Sequence, residues 1–231
     1  MKATTAEEFA ALPDDVRKHV LQRNDNVLVE YGEWWDDVYY AFRERMDEKG
    51  ISVDDIYFSG FWSQGDGACF DGSVHNFTTF IDSHPELAKF KELGEVDNKE
   101  IDLYVSWKHD SNHYYHERTL RFSCEESDLS EPDLSDFDSP VRYHAARIRY
   151  GEITALINEF FDAAPDIIRA HCQQLYKELE TEYEHLTSEE SVIEHLEIND
   201  RLQEEVDKAV SDLGLDEEEE DEQQTTQEVQ T

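Results

Sequence analysis

The placement of charge constrains this chain more than any other feature. Residues 178 to 222 hold 20 acidic residues and only two basic ones. Like charges three or four positions apart cost a helix stability, so such a stretch folds only where an apolar stripe anchors it. A stripe is present. Val192, Ile193, Leu196, Leu202, Val206 and Val210 recur at helical spacing after Ser188 and Glu190, and predict a last helix through about Leu213. Glu178 and Glu182 share one helical face before it, and Glu190, Glu194 and Glu197 share one on it. Beyond Leu213 the stripe stops. Asp216 to Glu222 is an unbroken acidic run followed by a Gln/Thr-rich end, so residues 214–231 read as a disordered tail with nothing to bury.

The whole chain carries 57 acids against 20 bases, a net charge of -37. That field repels DNA, RNA and anionic membranes and attracts basic proteins. It also confers solubility, the blander use of acidic charge. Cys69, Cys124 and Cys172 are odd in number and form no CxxC pair, which suits a reducing compartment. The first residues hold Glu7 and Glu8 and no apolar core of a signal peptide. No apolar run approaches the roughly 18 residues of a membrane helix. The expectation is a cytoplasmic protein.

Upstream the pattern is mixed. Thr5 with Glu8 forms a capping box, and Pro13-Asp14-Asp15 opens a second short helix through about Gln22. Trp34, Trp35, Val38, Tyr39, Phe42 and Met46 recur at helical spacing over Glu33 to Lys49, with Gly50 as the stop. Asp55 to Phe61 and Ala68 to Val74 predict one hairpin. One or two short helices fall between Phe77 and Leu93, broken near His84-Pro85. Ile101, Leu103, Val105 and Trp107 alternate with polar residues, and Tyr114 to Cys124 returns as a partner strand. Ser123 to Pro140 holds seven acids and no base. Val141 to Phe161 reads as helical, and Pro165 as the start of another helix through Leu186. The expected fold class is α+β. Residues 1–125 form antiparallel hairpins packed with helices, 126–140 a linker and 141–213 a helical region.

Several constellations invite chemistry. Tyr57 to Gly72 packs four glycines, two acids and aromatic residues into one hairpin, with Trp62, Ser63, Gln64 and Asp66 at its tip. Such a tip suits recognition of a partner, while the structural alternative is a turn with positive φ around Gly65 and Gly67. It lacks the Lys-Ser/Thr ending of a phosphate loop and a GxGxxG before a helix, and no cofactor site is legible. His109, Asp110, His113 and His116 hold metal-ligand chemistry near a turn, without HExxH or paired CxxC, so polar turn residues are the simpler explanation. Ser59, Ser63 or Cys69 with His75 supply nucleophile and base, but no G-x-S-x-G elbow. Arg142, Arg147 and Arg149 are expected to pair with acids of the last helices.

The segment IYFSGFWSQGDGACFDG resembles a signature, SGFxSQGDGAxFxG, of a group of phage-encoded proteins sometimes labelled antitoxin-like. The likeness centres on residues 33 to 125. It implies a phage or mobile-element origin and brings no catalytic residue. Together with the charge it points to a non-enzymatic accessory protein. The expected action is binding and inhibiting a basic, nucleic-acid-binding host protein, with the acidic helices covering its surface. The competing readings are a small hydrolase-like enzyme centred on Ser63–Asp66 and a virion assembly factor.

Overall fold

The computed structural model describes residues 1–30, 32–93, 102–111, 113–127 and 129–215. The expected acidic tail beyond residue 215 lies outside them, as do Ile101 of the expected strand and Asn112 of the expected turn. The elements are α1 (Ala6–Ala10), α2 (Asp14–Asn24), α3 (Asp36–Glu48), β1 (Ile51–Phe58), β2 (Ala68–Val74), α4 (Phe77–Asp82), β3 (Asp102–His109), β4 (Leu120–Ser127), α5 (Pro140–Leu186), α6 (Glu189–Ile198) and α7 (Leu202–Asp212). The fold is α+β. By compactness the described chain falls into two units: Met1–Trp35 together with residues 181–215, and a central unit, Asp36–Glu180.

In the central unit the two expected hairpins join into one antiparallel sheet of order β1-β2-β3-β4. β3 and β4 pair along their whole length, from Asp102 with Ser127 to His109 with Leu120. β2 and β3 join them where Gly72 pairs with Trp107 and Ser73 with Ser106. β1 starts earlier than its pattern suggested, because Gly50 at φ 77° turns the chain straight out of α3. It also ends earlier, because Gly60 at φ 108° and Trp62 at φ 67° bend residues 59–62 away from the ladder. Tyr114 to Thr119 is not strand: a 3-10 turn over Glu117–Thr119 occupies its end, where Thr119 N–H donates to the His116 carbonyl (2.9 Å). Aromatic rings fill the core, with Phe70 edge-on to Phe42 of α3 (5.1 Å) and to Trp107 of β3 (5.5 Å). Phe160 of α5 meets Phe77 and Phe90 at 4.8 and 5.4 Å.

α5 runs 47 residues straight through Pro165, which was expected to open a separate helix. A proline inside a helix costs one hydrogen bond, about 3 kcal/mol. The reason it is tolerated is the buried stripe on both sides of it: Ile153, Ile157, Phe160, Ala164, Ile168, Cys172, Leu175 and Leu179. Each large member contributes about 1.5–3 kcal/mol on burial, which outweighs the lost bond.

His84 and His171, 5% and 8% exposed, share an Nε2···Nε2 hydrogen bond of 2.9 Å in this unit. His84 Nδ1 lies 2.6 Å from the Phe80 carbonyl, which only accepts. His84 therefore carries its proton on Nδ1 and accepts from His171 Nε2–H. Burial holds both imidazoles below their usual range, His171 down to about 4, where a proton on His84 and the charges of Lys49 and Arg45 would act the same way. At His84 the Lys49 charge adds to burial, while the Phe80 carbonyl and Glu86 oppose it. The unfolded chain binds protons near pH 6.5 where the folded chain does not, so the pair's contribution is complete above that pH and is lost as pH falls towards 4. The melting temperature is expected to fall between about pH 6.5 and 5, and to fall less steeply in His171→Phe. Equal slopes for the two proteins would show that the pair is not held neutral.

The terminal unit is built from both ends of the chain. Its core joins Ala3, Phe9, Val16 and Val20 to Val192, Ile193, Leu196, Leu202, Val206, Ala209 and Val210. Thr5 caps α1 by accepting from Glu8 N–H (3.2 Å), as the capping box requires, although the Glu8 carboxylate returns to Thr4 N–H (2.8 Å). The single helix expected from Ser188 to Leu213 is two. Asp200 at φ 57° ends α6, with Arg201 N–H on the Leu196 carbonyl and Asp200 N–H on that of Glu197. This left-handed cap bends the chain so that the apolar stripes of α6 and α7 face one core. Glu205, 4% exposed, is a buried charge of this unit. Burial opposes its ionisation, but hydrogen bonds from Lys208 (2.9 Å) and Asn24 (3.3 Å) and the charge of Arg23 outweigh it and lower its pKa.

Candidate functional site

Two surfaces carry the expected binding residues, one in each unit. The first is the loop between β1 and β2. Ser59 N–H donates to the Gly67 carbonyl and Gly67 N–H to Ser59 Oγ, both at 3.2 Å. The Asp66 carboxylate accepts from Ser63 N–H at 2.6 Å, while Asp66 N–H returns to the Ser63 carbonyl at 3.1 Å. Asp66 and Ser59 thus hold the loop in shape. Trp62, 73% exposed, stands at the tip with the exposed Ser63 and Gln64. Phe61 beneath them lies 5.5 Å from Tyr176 of α5.

Of the two glycines expected to take positive φ, one does and one does not. Gly65 has the positive φ (92°), and the ring of Tyr114 lies where its Cβ would be. Gly67 does not share that conformation. It is small because a Cβ there would sit 2.6 Å from His116 Cβ and 2.9 Å from His116 Cα. The loop and the segment before β4 therefore lie against each other at both glycines.

The catalytic and metal candidates are not assembled into a site. Burial pushes the Cys69 thiol up to about 12, and its near neighbour is Thr119 Oγ1 at 3.8 Å. His75 pairs with Asp47 at 3.2 Å rather than with Ser59, Ser63 or Cys69. His109 Nε2 lies on the Tyr114 carbonyl (3.1 Å), Asp110 on Arg121 (3.0 Å) and His116 Nδ1 on Arg118 N–H (3.2 Å). Among the described residues no group of three His, Cys, Asp or Glu side chains is placed to hold a metal ion. Arg142, Arg147 and Arg149 do pair internally, but with Asp138 (3.3 Å), Glu131 (3.2 Å) and Glu92 rather than with the last helices. Those acids flank the start of α5 or lie in the central unit, within the short reach that a screened ion pair needs.

The second surface is acidic. Of its expected members, Glu178 is held by Arg45 and by Gln174 (3.0 Å) in the central unit, which removes it from a free acidic face. Glu182 is half-buried on the last turns of α5. Glu190, Glu194 and Glu197 do come together. With Glu189 they rim a cavity of about 570 Å³ between α6 and α1, over Ala6, Phe9, Ala10 and Ile193. Glu189 is engaged by Arg17 at 2.7 Å, and Glu197 accepts from Ala6 N–H at 2.8 Å. Among the described residues Glu190 and Glu194 form no ion pair, and both are exposed. Sequence reasoning found the acidic rim and missed the opposite wall. Ala6, Phe9 and Ala10 carry no local sign that they meet residues 189–197; the hint was a short capped helix with a single large apolar residue.

The architecture defines an α+β protein with an antiparallel four-stranded sheet and a helical unit that carries an acid-rimmed groove. The chain belongs to the family described as a domain of unknown function, DUF8835, which it matches over residues 34–189. The match covers the whole of the central unit, including the loop between β1 and β2, and ends before Glu190. No curated protein and no solved structure matches the chain. Among the described residues no helix is long and apolar enough to cross a membrane.

Proposed function

We propose that this chain is a non-enzymatic, phage-type accessory protein that acts in the host cytoplasm. It binds a basic, nucleic-acid-binding host protein and inhibits it by covering the basic surface with acidic helices. The observation that supports this reading best is the pair Glu190 and Glu194, which form no ion pair among the described residues although their neighbours Glu189 and Glu197 are engaged. Two like charges one turn apart cost helix stability, and a cationic partner removes that cost. Antitoxin-like neutralisation of a basic toxin draws on the same attraction.

The test is displacement. A basic host protein bound to labelled duplex DNA is titrated with this protein, and release of the duplex is expected. Glu190→Lys with Glu194→Lys should weaken the effect while keeping the fold; Glu197 is left intact because it caps α1. Raising salt from about 0.05 to 0.5 M should weaken it too, chiefly through the association rate. Displacement indifferent to both changes would remove charge as the cause and shift recognition to Trp62, Ser63 and Gln64. Turnover of a small substrate without any partner would favour the hydrolase-like reading instead.

A further inference from the structure

We infer that the groove between α1 and α6 is a binding site for lysine and arginine side chains of a basic peptide segment. This rests on the proposed partner class and adds where and how it is gripped.

The groove combines two chemistries that few ligands satisfy together. Its floor is apolar: Phe9 and Ile193, 2% and 3% exposed, lie beneath Ala6 and Ala10. The two alanines are exposed and one helical turn apart, so nothing large fills the space above them. Its rim is anionic, with Glu190 and Glu194 free of ion pairs among the described residues. The cavity of about 570 Å³ lies within the roughly 300–1,000 Å³ typical of ligand pockets.

Each simpler occupant leaves one half unmatched. An anion is repelled by the rim. An apolar peptide would bury carboxylates without partners, which is costly. A bare metal ion would make no use of the floor. Lysine and arginine have a long aliphatic stem and a cationic head, and such side chains lay the stem on apolar surface while the head stays at the polar edge. A stem over Ala6, Ala10 and Phe9 would bring its head to Glu190 or Glu194. The occupant is therefore a segment of a basic protein that presents such residues from an extended or helical backbone.

The probe is a fluorescein-labelled peptide of alternating lysine and alanine, read by anisotropy against the full chain at about 0.05 M salt. Binding is expected, with no binding by the norleucine analogue, which keeps the stem and lacks the charge. Glu190→Gln with Glu194→Gln should weaken it at least about fivefold. Ala10→Trp fills the groove without altering charge and should weaken it as much. Ala10→Leu serves the same purpose if the tryptophan variant melts early by circular dichroism. Glu125→Gln with Glu126→Gln removes equal charge from exposed positions on β4 and should leave affinity within about twofold. The inference is overturned if the β4 pair costs as much as the groove pair, if filling the groove has no effect, or if the norleucine peptide binds equally. It is also overturned if spermidine displaces the peptide at equal affinity per charge, since a free polyamine would then suffice. In any of these cases displacement of nucleic acid by the wild type leaves the masking reading standing. Groove binding without displacement removes masking and keeps the groove.

Discussion

Phe9→Ala is expected to destabilise the terminal unit by about 3–5 kcal/mol and to expose amides of α7 at the far end of the chain. Phe9 is 2% exposed and sits in the same core as Val192, Ile193, Leu196 and Val206. The helices of this unit have five, eleven, ten and eleven residues. Isolated helices shorter than about 12–15 residues are marginal in water, so none of these persists without the shared core. Against a total domain stability of roughly 5–15 kcal/mol, the loss is a large fraction. The measurement is amide hydrogen exchange resolved to Leu202–Asp212. Unchanged protection there, with Phe9 replaced, would show that α1 and α7 do not share a core.

Gly67→Val should cost the central unit about 1–3 kcal/mol or more through overpacking. A Cβ at Gly67 meets His116 Cα at 2.9 Å and the Tyr115 carbonyl oxygen at 3.1 Å. Both are backbone atoms, so no rotamer change relieves the clash. Gly60→Ala makes the contrast. Its φ is 108°, but its Cβ would meet only Asp66 Oδ2 at 3.9 Å, so the cost there is backbone strain alone, about 1–2 kcal/mol. Thermal melts of the two variants separate close approach from conformational strain. A Gly67→Val protein as stable as wild type would mean that residues 59–67 and 114–119 are not packed together.

Where local pattern sets local structure, little was hidden. Alternation through Leu103, Val105 and Trp107 marks β3, and Ala68–Val74 is β2 with the expected ends. The loop tip with Trp62, Ser63 and Gln64 is where glycine and aromatic residues placed it. Punctuation was the weak point. Locally Pro165 has the character of a helix start, because a proline disrupts the hydrogen bonding of a helix interior, yet the stripe from Ile153 to Leu179 crosses it without a break. At Asp200 the opposite occurred, since no glycine or proline signals the left-handed cap that divides α6 from α7.

By itself the sequence determined the α+β class, the strands and helices that repeat an apolar period, and the concentration of acid on the last helices. These follow from periodicity and charge, which neighbours along the chain decide. Only tertiary structure decided that Phe9 and Ala10 wall a groove with Glu190 and Glu194, that Arg45 engages Glu178, and that Gly67 is small for the sake of His116. Each of these depends on two segments far apart in sequence meeting at a few ångströms. Burial selects such meetings through the fit of whole elements, and that fit leaves no repeat or spacing in either segment alone.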